Sequence, residues 1–412
     1  MKILLVNKFL YARGGAEIAM LEEARLLQEK GHDVAFFSMN HPQNQYSAFD
    51  KYFASYVDLS KPVFSLSGIK SIGRMIYSFE AKKKFQKLLK DFKPDIIHYH
   101  NIYHQLSPSI LSAAKKMSIP SVMTLHDYKL ICPNYLLFNN SKGDVCEKCK
   151  QAKYYQPFFQ KCFKNSRLAG LIIGKESAIH RLLKIYEKNI DLFICPSNFT
   201  KNKIVSWGRD EKQFRVLPHF IDLNRFKQTA DLGDYIVAFG RLEKAKGFDV
   251  LIEAMKGVPN IKLKIIGSGS DENELKSMAK ESKNIEFIPH LGWNSLIQEI
   301  GQARLVVNIS KYYETFGMTV LESMALGKVV ICNDRGAVEE LIQDGETGIQ
   351  VKVGDIEMLR NKIQSLYDKK EELLKMGGAA RRRVEKDFGE DKYYLTLMDI
   401  FNSLLTDGGD MG

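Results

Sequence analysis

The sequence predicts an α/β protein built from two doubly wound parallel-sheet domains, and three observations carry that prediction. The chain has 412 residues, more than one core normally serves and enough for two. Short apolar segments of strand length alternate with stretches of helical periodicity along most of the chain. The alternation breaks near residues 216–226 (VLPHFIDLNRF) and then starts again.

Taken in order, the first unit reads as strand (2–8), loop (10–15) and helix (16–30). Ala16, Met20, Ala24 and Leu27 fall at helical spacing, and Gly31 supplies a stop. Further strands are expected at 33–39, 95–100, 121–126 and 191–195. Beyond the connector, strands are expected at 235–239, 262–266, 285–288, 305–309 and 329–333. Helices at 248–255, 271–280, 295–301, 317–326 and 337–343 alternate with them. The domains are therefore placed at 1–215 and 216–389, with a cysteine-rich insertion at 132–164 and a closing charged helix at 390–408.

The net charge of +11 points toward nucleic acid, an acidic membrane face or phosphorylated ligands, and does not separate them. Lys8 and Arg13 interrupt the N-terminal apolar run before it resembles a secretion signal. No apolar run reaches the length of a membrane span. A cytoplasmic protein that touches a membrane surface is expected. Nucleic acid is not an expected partner, because no aromatic platforms are interleaved with the basic residues.

Four constellations carry chemistry. In residues 312–327 (YYETFGMTVLESMALG), Glu314 lies on a loop after a strand and Glu322 inside the helix that follows. A helix N-terminus offers unpaired amides and partial positive charge, and the two carboxylates would meet hydroxyls at two places on a long ligand. In residues 240–247 (GRLEKAKG), Arg241 and Lys246 sit at a strand's carboxyl end, where open α/β sheets bind ligands. Two cations there would clamp a diphosphate, arginine by its planar fork and lysine as a point charge. Gly14 and Gly15 open the first helix in RGGAE and permit an anion to approach the backbone, without the GxGxxG dinucleotide pattern. His126 in TLHD ends a strand of the first domain, where it would shape a cleft or bond a sugar hydroxyl.

Together with PSNFTK (196–201) and IGSGS (266–270), this ordered set resembles the retaining GT-B glycosyltransferases of family 4, over nearly the whole chain. The resemblance implies two Rossmann-like domains facing a deep cleft and transfer of a sugar from a nucleotide-sugar to a glycan or lipid-linked acceptor. It implies that Arg241 and Lys246 bind the diphosphate, Glu314 contacts the transferred sugar, and the backbone of Phe316, Gly317 and Met318 faces that sugar. By the same resemblance Glu322 takes the ribose hydroxyls, Gly14, Gly15 and Gly267 line the nucleotide-sugar site, and His126 lies near the sugar's far hydroxyl. Arg241, Lys246, Glu314 and His126 are the implied catalytic residues. The implied chemistry is front-face attack with retention, the leaving phosphate helping to take the acceptor proton. The absence of a D-x-D sequence fits a reaction needing no cofactor, with bacterial capsule, O-antigen or exopolysaccharide synthesis as the implied process.

Two features depart from that pattern. Cys132, Cys146, Cys149 and Cys162 follow the spacing C-x13-C-x2-C-x12-C, which suits a structural zinc site; free thiols and disulfides stand as alternatives. With Tyr135, Tyr154, Tyr155, Phe158 and Phe159 nearby, the insertion is expected to cap the acceptor cleft. Residues 82–93 (KKKFQKLLKDFK) form a basic amphipathic helix suited to anionic lipid, or else a surface helix packed on its own domain. A nucleotide-sugar 2-epimerase and a non-catalytic sugar-nucleotide-binding protein are the competing functions.

Overall fold

The computed structural model describes residues 1–57, 73–229 and 232–407, so residue 408 of the predicted closing helix lies outside it. The first sheet contains β1 (Lys2–Val6), β2 (Asp33–Phe37), β3 (Ile96–Tyr99), β4 (Ser121–Thr124), β5 (Leu192–Cys195) and β6 (Phe214–Val216). Its order is β2-β1-β3-β4-β5-β6, and every pairing is parallel. The second sheet contains β7 (Tyr235–Phe239), β8 (Lys262–Ile266), β9 (Ile285–Ile288), β10 (Leu305–Asn308), β11 (Val330–Asn333) and β12 (Ile349–Val351). Its order is β9-β8-β7-β10-β11-β12, again wholly parallel. Strands buried on both faces are apolar nearly throughout, as LLV, LFIC and YIVAF are, while IIHY carries the buried His98. Edge strand β6 falls at the point where the chain pattern read as the start of the connector.

Among the helices, α1 (Gly15–Glu29), α2 (Phe79–Phe92), α3 (Arg167–Leu182) and α4 (Asn198–Val205) belong to the first half. In the second half, α5 (Phe248–Lys256) and α6 (Met318–Ala325) follow β7 and β10. The last helix, α7 (Glu390–Asp407), returns to the first domain. There Tyr393, Leu397 and Phe401 share a core with Ile3, Leu5 and Leu27. Arg25 pairs with Glu390, and Lys30 with Asp391 at 2.8 Å.

The basic amphipathic helix is α2, and its apolar face is already used. Phe85, Leu88 and Leu89 are fully buried, with Phe85 edge-on to Phe37 at 4.8 Å. Each such burial contributes about 1.5–3 kcal/mol, against about 1 kcal/mol gained per cation at an anionic surface. The apolar face of the helix is therefore packed on its own domain. It leaves Lys83, Lys87, Lys90 and Lys93 exposed. No helix among the described residues is long and apolar enough to cross a membrane.

Candidate active site

In a doubly wound sheet the crevice opens where the strand order reverses. In the second sheet that point lies between β7 and β10. The loop after β7 carries Arg241 and Lys246, and the loop after β10 carries Glu314, so topology brings two distant motifs together. Lys246 Nζ donates to Glu314 Oε1 at 2.8 Å, and the Ser310 hydroxyl donates to the same oxygen. Glu314 is only 4% exposed. Burial works to lower the Lys246 pKa, but Glu314 and the Tyr312 hydroxyl outweigh it and hold the ammonium above its ordinary value. Arg241 by contrast leaves its guanidinium largely in solvent, with a single 3.4 Å contact to Glu243. Its 70% exposed side chain is accessible to an arriving anion.

Gly317 precedes α6 at φ +105°. A Cβ there would meet Val338 Cγ1 at 2.7 Å, so packing against the next helix demands glycine as firmly as any ligand would. Gly267, at φ +147°, is constrained in the same way: its Cβ would fall 2.0 Å from the Gly240 carbonyl oxygen. Phe316 is buried and stands edge-on to His219 at 5.2 Å, while Met318 opens α6 beside it. Glu322 is 7% exposed, and burial pushes its carboxyl up to about 8, with Lys246 opposing only in part. It is therefore protonated at neutral pH until something donates hydrogen bonds to it.

The carboxyl edge of the first sheet meets this crevice. Thr315 Oγ1 donates to the His126 carbonyl at 3.1 Å, while Ser197 and Thr200 of the PSNFTK segment donate to the Thr315 carbonyl at 2.8 and 3.0 Å. Gly14 caps α1 in extended conformation, and a Cβ on it would come within 3.9 Å of Arg241 Nη2. At Gly15 nothing lies within 4 Å of that position, so there is open space beside its backbone. His126 is half-buried. Burial first, then the neighbouring His100 and His219, hold it well below the usual histidine range, so the ring is neutral. Printed contacts aside from packing thus join Lys246 to Glu314, the Glu314 loop through Thr315 to His126, and Gly14 to the neighbourhood of Arg241.

Sequence reasoning missed several groups that share this space. Asp127 is pushed up to about 6 by burial, with Lys8 and Lys129 opposing, and Lys8 is itself lowered by burial. Behind His126 stand Glu23, His98, His100 and His219. The alternation H-Y-H at 98–100 was a legible signal, since residues two apart share one face of a strand.

The insertion folds as a short hairpin (Phe138–Asn139 with Asp144–Val145) and a turn of helix (Gln156–Gln160). It presses its Tyr154 and Pro157 carbonyls onto Gly174 and Gly170 of α3, where a Cβ would stand 2.2 and 2.3 Å away. Its hairpin reaches the second domain: Asp144 lies 3.6 Å from Arg335, and Gly143 faces Lys244. Cys132, Cys149 and Cys162 are buried, Cys146 is half-buried, and none of the four is in a disulfide. Burial pushes Cys132 up to about 12 and Cys162 up to about 11, with the fellow thiols adding to it. The four are gathered in one place. Among the described residues, however, no three of these sulfurs lie within 4.8 Å of one another.

Two family models cover almost all of this architecture. Glycosyltransferase Family 4 matches residues 13–225, more than half of the chain, and Glycosyl transferases group 1 matches residues 220–383. The chain belongs to the family 4 glycosyltransferases and is a glycosyltransferase enzyme. An uncharacterized 42.6 kDa protein in the cps region of Klebsiella pneumoniae is 27% identical over 358 residues, 83% of this chain and 87% of that protein. The lipopolysaccharide core biosynthesis glycosyltransferase LpsE of Rhizobium meliloti is 25% identical over 189 residues, 44% of this chain and 55% of LpsE. Among solved structures, Anabaena Alr3699/HepE in complex with UDP and glucose superposes with a TM-score of 0.68 at 17% identity, covering 98% of this chain and 100% of HepE. Sucrose-phosphate synthase from Thermosynechococcus elongatus gives 0.72 at 19%, covering 98% and 99%. The fold is GT-B.

Proposed function

We propose that this enzyme moves a sugar from a nucleoside diphosphate sugar to a glycan or lipid-linked acceptor with retention of anomeric configuration, in the assembly of a bacterial surface polysaccharide. One observation carries the reading: Arg241, Lys246 and Glu314 converge at the switch point, beside the N-terminus of α6. Arg241, exposed and paired with Glu243, meets the diphosphate. Lys246, held by Glu314 at 2.8 Å, takes the leaving phosphate, and Glu314 the sugar. The rate then comes from stabilising charge on the departing diphosphate and from positioning. In a front-face course the C1–Oβ bond breaks as the acceptor oxygen bonds to C1 on the same side, and the released phosphate oxygen takes the acceptor proton. Two cations on the diphosphate do the work for which other transferases recruit a divalent ion. Glu322 receives the ribose hydroxyls, and His126 a hydroxyl of the transferred sugar. The HepE complexes with UDP and with UDP-glucose support this class of donor. The cps-region and lipopolysaccharide-core relatives support the process. The exposed lysines of α2 would bring the enzyme to an anionic membrane that carries a lipid-linked acceptor.

The test is a thermal-shift panel of UDP-, GDP-, ADP- and dTDP-sugars on wild type, Glu314→Ala and Arg241→Ala. At a hundredfold over its dissociation constant a ligand stabilises by about 2.7 kcal/mol. One sugar nucleotide should do so with the wild type alone. Stabilisation of both variants equal to wild type would refute the site. The anomeric proton coupling of the product, read by NMR, decides retention.

A further inference from the structure

Behind His126 runs a buried polar chain that the transfer step does not itself use. Glu23 projects from α1, His98 and His100 share one face of β3, and Tyr393 comes from α7. Glu23 is 1% exposed and His98 fully buried. The Glu23 carboxylate accepts from the Tyr393 hydroxyl at 2.5 Å through Oε2, and from His98 Nδ1 at 2.6 Å through Oε1. His98 Nε2 meets Thr124 Oγ1 at 2.7 Å. His100 Nε2 faces Glu23 Oε1 at 3.9 Å, and its Nδ1 lies 2.8 Å from His126 Nε2. The rings stack in sequence: His98 to His100 at 4.4 Å, His100 to His126 at 5.1 Å, and His126 to His219 at 5.3 Å with only 8° between planes.

We propose that Glu23 and His100 are positioning residues that fix the tautomer of His126, so that its Nδ1 presents a lone pair, not a proton, to a hydroxyl in the cleft. This rests on the placement of His126 against a sugar hydroxyl in the functional reading above. The argument is one of proton accounting. An ionised carboxylate only accepts. At 3.9 Å, too far for a hydrogen bond, its field still favours the His100 proton on Nε2, the nitrogen that faces it, and so leaves His100 Nδ1 bare. The 2.8 Å contact then requires the proton to sit on His126 Nε2. In a neutral ring the remaining nitrogen, Nδ1, is an acceptor. Glu23 is held down to about 2: burial would raise it, but His98, His100 and Tyr393 prevail. Burial keeps His100 and His219 neutral, at about 3 and about 4. The groups facing this run are Lys8 behind β1, Glu23 on α1, His98 and His100 on β3, His219 on the connector and Tyr393 on α7. Stacking fixes the plane of the His126 ring, and the Glu23 charge acting through His100 fixes its protons.

Glu23, His98 and His100 also bring their ligand atoms within 4.8 Å of one another. The 2.6 Å contact between Glu23 and His98 nonetheless places a proton there and not an ion. Two ligands each about 2 Å from one metal stand roughly 3 Å or more apart.

The experiment is ring-nitrogen NMR at pH 7 on the full chain labelled with 15N-histidine, using His126→Gln to identify the His126 signals. The expected result is a protonated Nε2 and a bare Nδ1 at His126 in the wild type. A mixture is expected in His100→Leu and in Glu23→Gln, with recovery in His100→Asn, whose amide oxygen can accept where Nδ1 did. A wild-type His126 protonated on Nδ1 overturns the proposal, as does one unchanged in both variants. If either variant fails to fold, the wild-type tautomer still decides. In turnover, His100→Leu should lower kcat on the order of tenfold with the sugar-nucleotide KM unchanged, and His100→Asn should restore it. Because the NMR needs no substrate, failure of the nucleotide-sugar panel and failure of this assignment are separate results.

Discussion

Removing Lys246 should expose how much of the site is held together by a single ion pair. Glu314 is 4% exposed and takes hydrogen bonds from Lys246 and Ser310 on one oxygen. Lys246→Ala strands that carboxylate with only the serine. Breaking a buried pair from one side costs about 3–5 kcal/mol. The Lys246 side chain keeps 22% of its exposure and Ser310 remains, so the lower end, about 3 kcal/mol, applies. For a domain of this size that is a fall in Tm of roughly 6–12 °C, read by calorimetry. The decisive partner is Lys246→Ala/Glu314→Gln, which removes the buried charge as well. It should regain most of the lost stability yet stay unable to bind a nucleotide-sugar, since both contacts are gone. If the double variant is as unstable as the single one, or the single one loses less than about 1 kcal/mol, the pair is not coupled as described and the reasoning fails.

Other outcomes follow from the same geometry. With the Glu322 carboxyl raised to about 8 in the free protein, ribose hydroxyls that donate to its ionised form bind against protonation. Nucleotide-sugar affinity should therefore rise with pH from 6 to 8, by up to about tenfold per unit, and level off above. Calorimetric titration across that range should show the slope in wild type and lose it in Glu322→Gln; an equal slope in both would sink the assignment. In the absence of ligand the sign reverses. A carboxyl raised in the fold makes the protein less stable as pH climbs from its ordinary value of 4.5 toward 8, and Glu322→Gln should remove that loss. The cysteine spacing that suits zinc is tested by elemental analysis of the purified protein: about one zinc per chain would support a site in the insertion, and far less than one equivalent would exclude it. Replacing Lys83, Lys87, Lys90 and Lys93 by glutamine should abolish sedimentation with anionic liposomes while leaving Tm within about 1 °C, because those side chains are exposed. Wild type showing no preference for anionic over neutral vesicles would refute membrane docking.

What the chain determines by itself is whatever depends on local order. Runs such as YIVAF and LFIC must be buried strands wherever they fold, because they are apolar at every position. The strand–loop–helix contexts of Arg241, Glu314 and Gly15 follow from neighbours a few residues away, so those sites could be named in advance. The twelve-residue basic segment could be read as amphipathic but not assigned a partner, because periodicity says that a face is apolar and not what covers it. Only the packed sheet decided that Phe37 and the first core take it. The same limit applies to Gly317 and Gly267, where the reason for glycine is a helix or strand end far along the chain. It applies most of all to the run from Tyr393 through Glu23 and His100 to His126, whose members lie up to 370 residues apart. Their contacts exist only because α7 returns to the first domain and parallel strands set β3 beside β4. Burial then makes each of those contacts matter, since a buried polar group without a partner costs more than its bond contributes.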